Sequence, residues 1–158
     1  MNGRSLKAAR APRRVRIIGR ILQFLLAAGV PLGPNFWLIT VRGRKTGLPR
    51  TTALVVIPIS GRRWVWAPWG EVNWVLNLRA AGRATITAHD GKEEVVTTEL
   101  DLSQRVEFFR DIYGPFVRGI RFGFWFVRHI EGVDLTHPLT VAEGRRVFEL
   151  HPLRAASD

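Results

Sequence analysis

A chain of 158 residues without a single cysteine fits one domain with a full hydrophobic core and excludes disulfides, thiolate metal sites and cysteine nucleophiles. Its four histidines are scattered, no serine sits in a Gly-x-Ser-x-Gly elbow, and no Gly-x-x-x-x-Gly-Lys-Ser/Thr loop is present, so metal-site, classical hydrolase and nucleoside triphosphatase readings lose their support. The formal net charge of +11 originates in residues 1–70, which hold 13 Lys and Arg and no acid, against 11 and 13 in residues 71–158; a negatively charged partner is expected for the amino-terminal part.

Residues 13–28 place Arg13, Arg16, Arg20 and Gln23 at spacings of three and four, opposite Ile17, Ile18, Ile21, Leu22, Leu25 and Leu26. This is the pattern of an amphipathic helix, which Gly29 and Pro31 should end. It serves either to pack on the domain with its cations in water or to lie on an anionic membrane surface. The charge-free run from Ile21 to Val41 is not expected to span a bilayer, because Gly29, Pro31, Gly33, Pro34 and Asn35 interrupt it. The expected organisation is a basic arm and helix over 1–28, a folded domain over 29–152 and a tail over 153–158. The expected location is the cytoplasm, with peripheral attachment at the inner face of the membrane as an option.

The most informative stretch is Thr40-Val-Arg-Gly-Arg-Lys-Thr-Gly-Leu-Pro-Arg-Thr-Thr52. Aromatic and β-branched runs flank it on both sides, from Phe36 to Val41 and from Thr51 to Ile59, so it reads as a β-hairpin with a long tip. The tip carries Arg44, Lys45 and Arg50 beside two glycines and a proline. Glycine allows close backbone approach, and Arg and Lys are the donors suited to phosphate or carboxylate. An anion site and an ordinary solvated tip are the two readings.

Beyond the tip, Ile57 to Gly61 reads as a turn and Arg62 to Ala67 as a third strand. Asn73 should open a short helix, Trp74 to Ala81, closed by Gly82. Ala84 to Ala88 and Glu93 to Leu100 form a hairpin about Asp90-Gly91. Ser103 is the expected cap of a helix from Gln104 to Tyr113, stopped by Gly114-Pro115. Phe116 to Ile130 suits a further helix, and Arg146 to Leu150 a closing strand.

This order resembles the split β-barrel of the flavin and deazaflavin oxidoreductases, and more closely their deazaflavin-dependent nitroreductase and quinone reductase branch. The resemblance is carried by the 40–52 stretch together with Trp74-Val-Leu-Asn-Leu-Arg-Ala-Ala-Gly82 and Ala84-Thr-Ile-Thr87. It implies a mainly β fold with flanking helices, of the FMN-binding split-barrel type with about six strands. It also implies a cofactor, coenzyme F420 with FMN as the alternative, and hydride transfer between the reduced cofactor and a hydrophobic acceptor such as a quinone or nitro compound. Lys45 and Arg50 would hold the phosphate and acidic oligoglutamate tail, with Arg44, Thr46 and Thr51 alongside. The backbone of Ala67, Pro68, Trp69 and Gly70 would meet the polar edge of the ring, supported by the helix carrying Trp74, Asn77 and Arg79. Where many relatives have a longer Ser-Asn-Gly-Gly-type segment ending in His-Pro, this chain has only Ala67 to Asn73.

Because hydride chemistry belongs to the cofactor, no triad or acid pair is required of the protein. Tyr113, the one tyrosine, is the phenolic candidate for protonating a reduced acceptor, against a packing role under Pro115. Two other classes of function are weighed beside the enzyme: a non-catalytic barrel holding a lipid, fatty acid or cofactor, and nucleic-acid binding. The second is disfavoured because the cations are not interleaved with aromatics on a reader module. A homodimer is expected by analogy with other split barrels.

Overall fold

Among the described residues, runs in which β-branched and aromatic residues alternate with polar ones make seven strands. They are β1 (Phe36–Arg42), β2 (Pro49–Val55), β3 (Ile57–Ile59), β4 (Arg62–Ala67), β5 (Arg83–Ala88), β6 (Gly91–Glu99) and β7 (Arg146–Pro152). The computed structural model describes residues 13, 16–17, 35–88, 90–121, 123–130 and 133–153. All paired strands are antiparallel, in the order β2-β1-β5-β6-β7-β4-β3. The two edge strands of that order, β2 and β3, are separated in the chain by Val56 alone, which is fully buried. A flat sheet cannot have one chain segment on both of its edges, so the sheet must curl. β2 then meets β4 across the remaining split, which gives the split barrel that was expected.

Period-two alternation sorts the side chains onto the two faces. Ile39 and Val41 of β1, Val65 and Ala67 of β4, Ile86 of β5, Val95 of β6, and Phe148 and Leu150 of β7 point into the barrel. Val75 and Leu78 of helix α1 (Asn73–Ala81) join that core. The other face of β4 and β7 presents Trp64, Trp66 and Val147 to a helical layer. That layer comprises α2 (Leu102–Glu107), a π-helical turn (Phe108–Tyr113), α3 (Gly114–Arg118), α4 (Gly123–Ile130) and α5 (Pro138–Gly144). Near the start of β1, Arg63 donates to both oxygens of Glu93 at 2.7 and 2.9 Å and lies over the Trp37 ring at 5.8 Å.

Several expectations need correction. Ile57–Ile59 is a strand, and the turn is confined to Ser60 and Gly61, whose φ angles are 51° and 75°. Val72, not Asn73, precedes α1 as its cap, and Gly82 closes it as expected with φ of 66°. The second helix begins at Leu102 under Asp101, which forms a reciprocal capping box with Gln104; Ser103 lies inside it. Gly114-Pro115 does not stop the helical path, because proline is tolerated in the first turn of α3. Phe116 to Ile130 is two helices rather than one, and α5 was not anticipated. Of the helix expected over 13–28, Arg13, Arg16 and Ile17 are described, all three helical and exposed. The remainder of that helix and the tail beyond 153 lie outside the described residues. Among the described residues no helix is long and apolar enough to cross a membrane.

Candidate functional site

The β1–β2 register pairs Arg42 with Pro49, Val41 with Arg50 and Thr40 with Thr51, leaving residues 43–48 as the tip. The tip closes on itself. The Gly43 N–H donates to the Leu48 carbonyl and the Gly47 N–H to the Gly43 carbonyl, each at 2.8 Å. A Cβ on Gly43 would stand 3.0 Å from the Leu48 carbonyl oxygen and 3.2 Å from Thr46 Oγ1, so a side chain there would crowd the closed tip. Gly47 adopts φ of 70° with the Arg42 guanidinium against it. Thr46 Oγ1 accepts from the Leu48 N–H at 3.4 Å, and Thr51 shares a 2.8 Å hydroxyl hydrogen bond with Thr40.

The three cations predicted for the tip divide into two kinds. Arg44 is committed to the protein: its N–H and its Nη1 donate to Asn77 Oδ1 at 3.2 and 2.8 Å, and its Nη2 donates to Asn73 Oδ1 at 3.2 Å. Asn77 is buried, so these bonds satisfy a polar group that would otherwise be costly and fasten the tip to α1. Lys45 and Arg50 are exposed, and their side chains pair with no acid among the described residues. They are the free charge of the loop.

The second predicted stretch arrives at the same end of the barrel. β2 runs on through Val56 into β3, and β3 is antiparallel to β4. The tip end of β2, with Arg50 and Thr51, therefore lies beside the carboxyl end of β4, where Ala67, Pro68, Trp69 and Gly70 lead toward α1. Gly70 has φ of 69°, and a Cβ there would stand 3.0 Å from the Gly144 carbonyl oxygen at the end of α5. Trp69 and Trp74 pack on the barrel core, Trp74 with its ring 6.2 Å from that of Phe148.

Behind this loop is a charge network. Arg79 donates to both oxygens of Glu99 at 2.6 and 2.7 Å and to Glu71 at 3.0 Å; Arg146 Nε donates to the same Glu71 oxygen at 3.3 Å. Burial would push the Glu71 carboxyl up, but the hydrogen bonds from Arg79 and Arg146 reverse it and leave it below its ordinary value. The Arg79 guanidinium is raised, chiefly by its bonds to Glu99. Arg79 thus reaches the loop through Glu71.

Tyr113 is elsewhere. It is buried on the helical side of the sheet, 5.3 Å from Trp66 and 5.7 Å from Phe108 between ring centroids, whereas Ala67 faces the barrel interior. The structure brings together Arg44, Lys45, Thr46, Arg50, Thr51, the 67–70 loop, Trp74, Asn77 and Arg79, and leaves Tyr113 apart from them. Asn73, Glu71 and Arg146 were missed as parts of the frame, and Arg42 and Arg83 as cations beside the tip. Arg42 lay within the 40–52 stretch and Glu71 and Asn73 within the shortened 67–73 segment, whereas Arg83 and Arg146 lay in neither.

The model of the F420H(2)-dependent quinone reductase family matches residues 19–115, well over half the chain and all of the tip, loop and α1. The chain belongs to that family. It is accordingly an F420-dependent oxidoreductase, with coenzyme F420 as its cofactor. No curated protein matches it. Among solved structures, a protein from Bacteroides thetaiotaomicron assigned to 5-nitroimidazole antibiotic resistance is similar at 10% identity, over 94% of this chain and 83% of that one, with a TM-score of 0.53. The conserved protein Rv2991 from Mycobacterium tuberculosis is similar at 13% identity over 98% and 87% of the two chains, with a TM-score of 0.46. An F420 reductase is similar at 12% identity over 77% and 88%, with a TM-score of 0.43. The first of these likenesses is one of fold.

The residues present suit F420. The cofactor is polyanionic, and in Lys45 and Arg50 the tip offers exposed cations without acidic partners among the described residues. Among the described residues no cluster of His, Cys, Asp or Glu could hold a metal ion.

Proposed function

We propose that this member of the family transfers a hydride between reduced F420 and a hydrophobic acceptor such as a quinone or a nitro compound, at the mouth formed by the tip, the 67–70 loop and α1. Bound F420 supplies the hydride at its deazaflavin ring. Lys45 and Arg50 bind its phosphate, Arg44 holds the tip in place through Asn77, and the backbone of Ala67 to Gly70 orients the polar edge of the ring. Thr46 and Thr51 stand beside the two free cations as hydroxyl partners. Trp69 supplies a flat apolar surface over which acceptor or ring packs, and Arg79 steadies that loop through Glu71.

The observation that carries this reading is the division of the tip cations. Arg44 is spent on Asn73 and Asn77, while Lys45 and Arg50 stand exposed and unneutralised at the end of the barrel where the loop and α1 converge. Exposed cations held close together without acids favour an anion, and more so where the ligand excludes part of the water.

The test is fluorescence titration of the purified chain with F420, FMN, FAD and NADPH. F420 is expected to bind most tightly, and replacing Lys45 and Arg50 by Ala should weaken it by about tenfold or more, the scale of lost charged hydrogen bonds. Tighter binding of FMN, or F420 binding indifferent to the double variant, would refute the assignment. Turnover of reduced F420 with a quinone panel and a nitro-compound panel then identifies the acceptor class.

A further inference from the structure

The corner between α3 and α4 is tightly built. The Gly119 N–H donates to the Pro115 and Phe116 carbonyls, each at 3.2 Å, the Ile120 N–H to the Val117 carbonyl at 3.1 Å, and the Gly123 N–H to the Ile120 carbonyl at 2.8 Å. A Cβ on Gly123 would stand 2.5 Å from the Val117 carbonyl oxygen, a separation that a larger residue could not keep. Val117, Gly123 and Val127 are buried, and both valines belong to the core under the helical layer. Burial of these three turns Arg118, Ile120, Arg121, Trp125 and Arg128 outward, and all five are exposed. Ile120 and Trp125 keep 48% and 57% of their surface in water.

Within α4, Trp125 and Arg128 are three residues apart and so share a face, while Val127 lies on the buried one. Between Asp111 and Glu131 the chain carries three arginines and no acid. The nearest described acids in sequence on either side are engaged. Asp111 accepts from Arg110 at 2.8 and 2.6 Å. Asp134, which feels the charge of Arg128, accepts from the N–H and hydroxyl of Thr136 at 3.0 and 2.6 Å. A fixed corner therefore presents an indole and a branched aliphatic side chain among three cations.

We propose that this corner seats the protein on the surface of an anionic lipid bilayer, with Trp125 and Ile120 entering the headgroup boundary and Arg118, Arg121 and Arg128 against the lipid phosphates. An indole is at home in that boundary, where its apolar body is covered and its N–H stays wet. Arginine stems cover apolar surface while their heads remain among the headgroups, and a negative leaflet attracts each of them. A small polyanion would engage the cations and leave Trp125 and Ile120 in water. An apolar protein face would cover those two and desolvate the arginines without partners. A lipid surface takes both sets at once, and the hydrogen-bonded corner needs little ordering to meet it. The surface is separate from the helix expected over 13–28, and the proposal is independent of the hydride-transfer reading.

The test is co-sedimentation of the full chain with vesicles of phosphatidylcholine alone and of phosphatidylcholine mixed with phosphatidylglycerol. The wild-type protein should partition to the anionic vesicles, less so as salt rises. Ile120→Ser/Trp125→Ser should weaken that partitioning by about tenfold, from the apolar area no longer covered. Arg118→Gln/Arg121→Gln/Arg128→Gln should weaken it by roughly fivefold for each arginine lost, whereas the corresponding triple lysine variant should retain most of it, because the leaflet reads charge. F420 affinity, unmoved in every variant, reports that each is folded.

Equal partitioning to neutral and anionic vesicles, or none to either, would overturn the proposal. So would anionic binding that the serine and glutamine variants leave unchanged, since attachment would then belong to another part of the chain. Loss in the glutamine variant alone, with duplex DNA displacing the protein from the vesicles, would assign the corner to a nucleic acid and overturn the proposal as well. Each of these outcomes leaves the hydride-transfer reading to its own cofactor titration.

Discussion

Asn77→Ala separates the frame of the tip from its ligand-binding charge. The substitution removes an acceptor that takes the Arg44 N–H at 3.2 Å and Arg44 Nη1 at 2.8 Å, from a residue that is buried. The bond to the guanidinium is charge-assisted and the one to the backbone is neutral, and the Arg44 end of the brace is exposed. The expected loss of stability is about 2–3 kcal/mol. For a chain of this size that lowers the thermal midpoint by about 5–10 °C. F420 affinity should fall as well, by about tenfold, because a tip no longer fastened to α1 must be ordered by the ligand. Lys45→Ala/Arg50→Ala should do the opposite: a stability change within about 0.5 kcal/mol, since neither side chain is paired, with the larger loss of affinity. Differential scanning fluorimetry and cofactor titration on the same preparations give both axes. If the cation variants lost as much stability as Asn77→Ala, or if Asn77→Ala left the midpoint unmoved, the division of the tip into frame and free charge would be wrong.

Gly70→Ala should destabilise by about 1–3 kcal/mol, because it places an L side chain at φ of 69° with its Cβ 3.0 Å from the Gly144 carbonyl; an unchanged denaturation midpoint would show that the loop relaxes freely. Glu93 and Glu149 are held below their ordinary carboxyl values by hydrogen bonds from Arg63 and Arg62, and Glu71 is held low against its own burial. Each binds its proton more weakly folded than unfolded, so their contribution is complete above the ordinary value of 4.5 and disappears as pH falls through the lowered ones. The thermal midpoint should therefore be nearly flat from about pH 7 to 5 and fall below that, less steeply in Glu149→Gln, and a midpoint independent of pH down to about 3 would contradict the assignment. Tyr113→Phe should leave kcat/KM within about twofold while costing stability, since the ring is packed with Trp66, Phe108 and Phe109 rather than placed at the loop; a loss of two orders of magnitude in kcat at unchanged stability would return the phenol to the reaction.

The strands were legible where turn chemistry and alternation agree. Gly47 in the tip, Gly91 in the Asp90-Gly91 turn and Gly82 after α1, with φ of 70°, 146° and 66°, each adopt a backbone conformation that few other residues take. The misreadings have physical causes. Ser103 reads as a cap although Glu107 stands four residues on, whereas Asp101 and Gln104 have the three-residue spacing that a reciprocal box requires. The helix Pro138–Gly144 contains threonine and valine and ends in glycine, so its local preference is weak and burial of Val141 and Ala142 against the helical layer decides it. The three residues of β3 contain a proline at position 58 and read as a turn because proline cannot donate to a ladder; as an edge strand β3 has one partner only.

The charge pattern shows most clearly what a linear reading can and cannot supply. An acid-free stretch of 70 residues suggests that all its cations are available, but two of those in the sheet are not. Arg62 and Arg63 are neutralised by Glu149 and Glu93, from 87 and 30 residues away, because curling of the sheet brings β7 beside β4 and carries β6 round to meet it. Arg44 is spent on a helix 33 residues downstream. The acids of the later part of the chain that pair with arginine in the sheet and α1 sit on β6, on β7 and before α1, and none pairs with Lys45, Arg50, Arg42 or Arg83. The fold therefore consumes the cations of the barrel wall and spares those at one end and on the adjoining outer face. An anion bound there would meet charge that folding has not already neutralised, and for that reason we propose this end of the barrel, rather than the basic stretch as a whole, as the cofactor site.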